Sequence, residues 1–184
     1  MSKQKNINHI LSGTLSMNYQ FNPDHVMGIR YKLSRDPKID LGGTALAEAY
    51  MDGVMYEESN ARYDIGGQYT THDINAYYNG KVNDWNIDLN LDGMWDKNKQ
   101  NQFTAQTITE TSGKTMEENM TTFNRTRNNL YAGKLVISRP LWEGQLSFGG
   151  EYSHNSRTNI YHNDEGVLDS DDSEIKEGMT SGFV

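Results

Sequence analysis

Residues 85–95 read WNIDLNLDGMW, and along this stretch apolar and polar side chains alternate. Apolar residues recur at odd positions, while asparagines and aspartates fill most even positions. Successive side chains of a β-strand point to opposite faces, so the pattern predicts a strand with one apolar and one polar face. The apolar face is 11 residues long, and about 9–11 residues of a tilted strand cross the apolar core of a lipid bilayer.

The same alternation recurs along the chain in three pairs of strands, each joined by a short turn. Hairpins are predicted over about residues 9–34, 67–103 and 124–162, with turns at residues 22–25, 83–84 and 139–141. The segments between them, 35–66, 104–122 and 163–182, lack the alternation and are predicted to be long polar loops. Within the first loop, Asp52-Gly53 favours a turn and a small hairpin, and a helix over residues 44–50 is the alternative.

Composition excludes several classes of function. The 184 residues carry 17 Lys and Arg against 25 Asp and Glu, a net charge of −8, which disfavours binding to a phosphate backbone; no nucleic-acid partner is expected. There is no cysteine, so disulfides, thiolate zinc sites and cysteine nucleophiles are excluded. No apolar run is long enough for a transmembrane helix, and we expect no secretory signal peptide in residues 1–9, which lack an apolar stretch.

Aromatic residues at both ends of the apolar face favour a membrane barrel, because aromatic rings prefer the interface between lipid and water. The residues expected to form these aromatic girdles are Phe21, Trp85, Trp95, Tyr131, Trp142 and Tyr152. The residues expected to face lipid are Leu15, Met17, Ile87, Leu89, Leu91, Leu146 and Phe148. The residues expected to face a wet lumen are Arg30, Lys32, Asp88, Asp92, Glu143 and Glu151.

These patterns predict an all-β fold, an antiparallel up-and-down transmembrane β-barrel segment of about six strands with short periplasmic turns and long outer loops. The alternative is a soluble β-barrel that binds a small ligand, with its apolar face pointing inward. That alternative explains the alternation equally well and the aromatic ends less well. Such long loops are also uncommon in compact soluble domains.

Several strand segments resemble the barrel of TonB-dependent outer-membrane receptors, within the outer membrane protein beta-barrel family. They are residues 75–81 (NAYYNGK) followed by 85–90 (WNIDLN), 150–153 (GEYS) running into 161–166 (YHNDEG), and 175–177 (IKE) ahead of Phe183. The resemblance covers most of the chain and consists of diffuse strand patterns. It implies a barrel of about twenty-two strands that holds a plug domain, with energy supplied through TonB, and uptake of a scarce nutrient.

The chain departs from that pattern in its six predicted strands and in lacking a plug and a TonB box. We therefore expect an internal fragment of a longer exported chain in the outer membrane of a Gram-negative bacterium. The resemblance implies as partners outer-membrane lipid, the remainder of the barrel, the plug domain, the TonB system indirectly and an unknown small ligand.

No catalytic, cofactor or metal site is predicted. His72 and His154 are the residues on which a third possibility, an outer-membrane hydrolase, would depend, but each lies beside its potential partner in sequence and so points away from it. Seven acidic residues between positions 164 and 177 are interpreted as a solvated loop, with loose divalent-cation binding as the alternative.

Overall fold

A computed structural model describes residues 3–7, 9–163 and 173–183. These residues form eight β-strands: β1 (Lys3–Ile7), β2 (Leu11–Asn22), β3 (His25–Met51), β4 (Val54–Val82), β5 (Trp85–Glu110), β6 (Thr115–Leu141), β7 (Gly144–Asn163) and β8 (Ser173–Phe183). The described part of the chain contains no helix that is long and apolar enough to cross a membrane.

All eight strands belong to one antiparallel sheet, and from β2 onward each strand pairs with the next one in sequence. β1 and β2 lie end to end against β3, so the eight strands occupy seven positions across the sheet. Within the described residues β8 pairs only with β7, and the sheet stays open. The predicted all-β, antiparallel, up-and-down architecture is confirmed.

A buried carboxylate organises the edge where β1 and β2 meet. Asp36 is only 2% exposed, and its Oδ1 accepts the backbone N–H groups of Lys38 at 3.1 Å and His9 at 3.3 Å. The first of these bonds spans a bulge in β3, where the register against β4 shifts between Asp36 and Ile39. A carboxylate that accepts backbone N–H groups is stabilised when buried, so Asp36 ties the break in the edge strand to the bulge.

Short turns join the strands at one end of the sheet, which we call the short-turn end. They are Pro23-Asp24, Asn83-Asp84 and Trp142-Glu143. The first two agree with the predicted turns, but the third was predicted at residues 139–141. Pro140 lies in β6 instead, opposite Gln145. Because the ladder between β5 and β6 ends at Ser138, the missing N–H of Pro140 removes no ladder hydrogen bond to β5.

The long loops predicted at residues 35–66 and 104–122 are wrong, since these residues form strands and the turns between them. Residues 35–66 lie in β3, β4 and the turn between them, and residues 104–122 lie in β5, β6 and their turn. Of residues 163–182, Asn163 ends β7 and 173–182 belong to β8, whereas 164–172 lie outside the described residues. These polar segments pair through backbone hydrogen bonds, which need no apolar side chains, and so the sheet extends to a far end opposite the short turns.

The Asp52-Gly53 turn is confirmed, and the alternative helix over residues 44–50 is wrong. Asp52 and Gly53 have φ values of 50° and 80°, the pair of positive angles that a two-residue hairpin with right-handed twist requires. Beside this turn, the Tyr50 hydroxyl donates to Glu48 Oε2 at 2.6 Å. That hydrogen bond and the nearby carboxylate charge raise the pKa of Tyr50 above its ordinary value.

The described residues contain no buried apolar side chain. The buried polar residues among those described are Asp36, Thr122, Ser138 and Asn163, and Gly80 and Gly93 are buried as well. The fold is therefore a single layer of sheet, and neither face is covered by a second layer of the described chain. Its lateral cohesion comes from backbone ladders and from contacts between neighbouring side chains on each face.

Replacing Gly53 with Val should loosen the tip of the β3–β4 hairpin. A β-branched residue at positive φ costs about 1–2 kcal/mol, so we expect faster amide hydrogen exchange at Met51 and Val54. Gly66→Val is the matched control, because an added Cβ at Gly66 meets open space in ordinary strand geometry. Equal exchange at the tip in the two variants would contradict this account of the turn.

Candidate functional site

Cross-strand register collects the apolar residues on one face of the sheet. Without a register shift, β5 pairs with β4 from Trp85 to Glu110 and with β6 from Asn86 to Thr109, and directly paired residues share a face. Leu91, for example, lies in a row with Met17, Ile29, Ala76, Gly133 and Tyr152. We call the odd-numbered residues from 85 to 95, together with the residues that pair with them across the sheet, the apolar band.

The seven residues predicted to face lipid all lie on the face of the apolar band. They are Leu15, Met17, Ile87, Leu89, Leu91, Leu146 and Phe148. The side chains on the edge strand are the most open, with Leu15 exposed by 74% and Met17 by 63%. No second layer of the described chain covers this face.

The far end of the apolar band holds aromatic side chains in two adjacent rows, those of Tyr131 and Trp95, and their polar atoms bond to one another. Trp95 Nε1 donates to the Tyr131 hydroxyl at 2.9 Å, and the two rings meet edge to face with centroids 5.7 Å apart. The Tyr31 hydroxyl lies 2.6 Å from His72 Nδ1 on the same face. Rings with an apolar body and a satisfied polar edge suit a boundary between apolar and aqueous surroundings.

A second aromatic group lies at the short-turn end. Tyr19 and Phe21 meet edge to face at 4.8 Å, and Trp85 and Phe148 at 5.8 Å. The Arg139 guanidinium lies over the Trp85 ring, 5.0 Å from its centroid, which is a cation–π distance. The predicted girdle residues Phe21, Trp85, Trp95 and Tyr131 thus lie at the two ends of the apolar band.

Two predicted girdle residues take other places. Trp142 lies in the turn after β6 with φ 53° and 94% exposure, so it belongs to no strand face. Tyr152 pairs with Gly133, one row inside the row of Tyr131, and therefore lies within the apolar band. Both errors have one origin. The prediction began this strand at Trp142, whereas β7 begins two residues later, at Gly144.

The opposite face of the sheet is polar and hydrogen-bonded. Five of the six residues predicted to face a lumen lie there, namely Arg30, Lys32, Asp88, Asp92 and Glu151. The sixth, Glu143, lies in the turn before β7. A shallow cavity of about 600 Å³ on this face is lined by residues that include Arg30, Lys32, Asp73, Asn75 and Asp92.

Sequence reasoning missed the polar side chains that organise this face. Asn75 Nδ2 donates to Asp92 Oδ1 at 2.7 Å, and the Tyr77 hydroxyl donates to Asn18 Oδ1 at 3.0 Å. The Tyr77 ring reaches Asn18 across Gly28, where an added Cβ would collide with both side chains. The signal was available, because residues 75 and 77 alternate with the apolar residues of β4.

The described residues contain no group of three or more His, Asp or Glu side chains that could hold a metal ion. His72 is engaged with Tyr31, and His154 lies opposite Tyr131 in the register of β6 and β7. The acidic segment 164–177 lies outside the described residues up to position 172.

Comparisons with known proteins add little. No family model matches the chain, and no curated protein matches it. Among solved structures, the chain has been aligned with OmpT (in-vitro folded), an outer membrane protein of Vibrio cholerae in its trimer form, at 7% identity and over 99% of each chain. The TM-score is 0.18, which is too low to show a shared fold or to support any function.

The bond between Trp95 and Tyr131 should appear as a coupling energy. In a double-mutant cycle with Trp95→Phe and Tyr131→Phe, we expect about 1 kcal/mol of coupling in the free energy of unfolding, the usual net value of one hydrogen bond. Urea titration of the purified protein would measure it. Trp95→Phe combined with Tyr69→Phe is the control, since Tyr69 bonds to Ser34 on the polar face; additive losses in both cycles would contradict the assigned bond.

Proposed function

We propose that this chain forms part of the wall of an outer-membrane β-barrel, with the apolar band against lipid and the polar face toward a wet lumen. The observation that carries the proposal is that no apolar side chain is buried among the described residues, although apolar side chains fill one face. A soluble domain of this size buries roughly 70% of the surface of its unfolded chain. Lipid would cover the apolar band without a second protein layer.

The height of the apolar band supports the same proposal. From Trp85 to Trp95 the strand rises about 33 Å along its own axis. With the usual strand tilt of about 40°, that length spans about 25 Å across the membrane, which is the height of the apolar belt of outer-membrane barrels. The aromatic groups at the two ends of the apolar band then fall at the two lipid–water boundaries.

A wall of seven strand positions would not be a whole barrel. In lipid, each unsatisfied backbone group at an open edge costs several kcal/mol, and the smallest common membrane barrels have about eight strands. The described sheet has two edges, β1 with β2 on one side and β8 on the other. We propose that further strands complete the barrel at these edges.

The more specific proposal is a TonB-dependent receptor that takes up a scarce nutrient in the outer membrane of a Gram-negative bacterium. Its support is the resemblance of residues 75–81, 85–90 and 150–153 to such barrels and the length of β3 to β6 beyond the apolar band. These extensions would form the outer, ligand-facing region, the polar face would contact a plug, and no catalytic role is assigned to the chain.

A soluble small-ligand-binding module is the second candidate. The observation in its favour is a depression of about 390 Å³ on the apolar face, whose lining includes Met17, Met27, Ile29, Tyr78 and Leu89. In such a module this face would be the interior, and the described residues close no interior.

Substitution of adjacent residues on opposite faces tests the proposed function. Leu89→Arg places a cation in the middle of the apolar band, where lipid exposure costs roughly 2–4 kcal/mol. Asn90→Arg is the matched control, one residue along the strand on the polar face. We expect the level of assembled protein in outer-membrane fractions to fall sharply for Leu89→Arg and to stay near normal for Asn90→Arg.

The same fractionation separates the candidates. Unaltered levels in both variants would show that Leu89 does not face lipid. Recovery of the unsubstituted protein in the soluble fraction, without detergent, would overturn the membrane assignment and favour the soluble module.

A further inference from the structure

Two rows of cations lie on the face of the apolar band, directly beyond its far-end aromatic row. The first row contains Arg35, Lys97 and Arg127. The second contains Lys99 and Arg125, paired with each other, and Lys38 from the bulge in β3 lines the same cavity. We call these six residues the basic rows.

The basic rows oppose like charges across neighbouring strands. Lys97 pairs directly with Arg127, and Lys99 with Arg125, an arrangement that destabilises an antiparallel sheet when nothing neutralises it. All four side chains are exposed. Among the side chains that the structure describes, none of the four forms an ion pair. From Arg127 the first row continues through Thr158 on β7 to the register position of Glu174 on β8.

Position distinguishes these pairs from other like-charged pairs in the sheet. Glu48 and Glu58 also face each other, but they lie near the Asp52-Gly53 tip, far from the apolar band. The basic rows instead adjoin the aromatic row of Trp95. Repulsion between Lys97 and Arg127 is therefore placed where the proposed membrane ends, at the level of lipid headgroups.

The two ends of the apolar band differ in charge. At the short-turn end, Arg139 lies over the Trp85 ring, and the turns contribute the acidic residues Asp24, Asp84 and Glu143. The cations thus concentrate at the far end, on the lipid side of the sheet. A membrane whose leaflet on that side is rich in anionic headgroups would complement this distribution.

A shallow cavity lies within the second basic row. It measures about 650 Å³, and its lining includes Lys38, Lys99, Arg125, Gly66 and Phe123. At Gly66 an added Cβ would meet open space, so the cavity is clear of side chains beside Gly66. Asp40 approaches Lys38 at 3.8 Å, which leaves Lys99 and Arg125 as the cations without a carboxylate among the described side chains.

We propose that the basic rows bind the phosphate groups of an anionic membrane lipid in the leaflet at the far end of the apolar band. The arginines offer planar forks that match phosphate oxygens, and the lysines add point charges. A lipid phosphate neutralises the opposed cations, while its acyl chains lie along the apolar band below. This inference rests on the proposed function, since it requires that the apolar band face lipid.

Quenching of Trp95 fluorescence by brominated lipids tests the inference on the full chain purified from its native membrane and placed in phosphatidylcholine vesicles. The chain has three tryptophans, so Trp85→Phe and Trp142→Phe leave Trp95 as the reporter beside the basic rows. We expect brominated phosphatidic acid to compete for this site roughly tenfold better than brominated phosphatidylcholine, with the preference declining as salt rises.

The variant Lys97→Gln, Lys99→Gln, Arg125→Gln, Arg127→Gln should reduce this preference to about onefold, because four phosphate-facing cations are lost. The matched control is Arg30→Gln, Lys32→Gln, Lys134→Gln, Arg157→Gln, which removes the same charge from the polar face and should keep the preference. Lys97→Glu with Lys99→Glu is a second variant. It creates opposite-charge pairs that stabilise the sheet, so it should fold and still lose the preference.

The outcomes separate the two proposals. Equal quenching by both brominated lipids would leave the membrane wall intact and overturn the phosphate site. Absence of quenching by either lipid would overturn the proposed function itself. A preference lost equally in the polar-face control, or retained after Lys97→Glu with Lys99→Glu, would refute the basic rows as the binding site. Full competition by inorganic phosphate, against chloride at equal ionic strength, would assign the site to a free anion and overturn the lipid.

Discussion

The uninterrupted register of β4, β5 and β6 is the constraint on which the other features depend. Because side chains alternate with a period of two, a slip of one residue would move every apolar side chain to the opposite face. The register shifts lie elsewhere, in the pairing of β3 with β2 and β4, between Gln20 and Asn22, Asp36 and Ile39, and Ala49 and Tyr50. The centre of the sheet therefore fixes one apolar face and one polar face, and the edge accommodates the irregularities.

Aromatic rings laid over glycines supply contacts that a core would otherwise provide. On the polar face Tyr77 covers Gly28, and Phe183 lies against Gly149, where an added Cβ would come within 2.7 Å of the ring. On the apolar face the Trp95 ring lies 3.0 Å from the position of a Cβ at Gly93. The rings of Tyr77 and Phe183 each reach a glycine of the neighbouring strand, so they add lateral contact to the backbone ladder, as aromatic side chains beside strand glycines do.

The sequence predicted those features that a strand encodes within itself. The alternation between residues 85 and 95 sufficed for β5 and its two faces, and Asp52-Gly53 sufficed for a turn. It failed for residues 35–66, because a polar strand whose neighbours supply its hydrogen bonds needs no alternation of its own. It also misplaced Trp142 and Glu143, since a proline nearby marks a turn less reliably than the end of the adjacent ladder does.

The sequence could not predict features that depend on the pairing of two strands, because one strand does not encode its register with the next. Lys97 and Arg127 lie 30 positions apart in the chain, and only the register of β5 with β6 makes them neighbours. The contact of Asn75 with Asp92 likewise needs the β4–β5 pairing. The alternation in the sequence indicated which face of the sheet these residues occupy, but it did not indicate which residues they pair with.

A sheet without a packed interior also changes what its sequence must preserve. In a close-packed core, each side chain is constrained in volume and shape by its neighbours. No second layer of the described chain covers the apolar face, so Leu, Met, Ile or Phe would serve almost interchangeably at one position. The sequence then needs only an apolar side chain at every second position of the strand. Two chains with this architecture could therefore differ at nearly every apolar residue and still form the same sheet. What they would share is the alternation of apolar and polar side chains, and not the identity of each side chain.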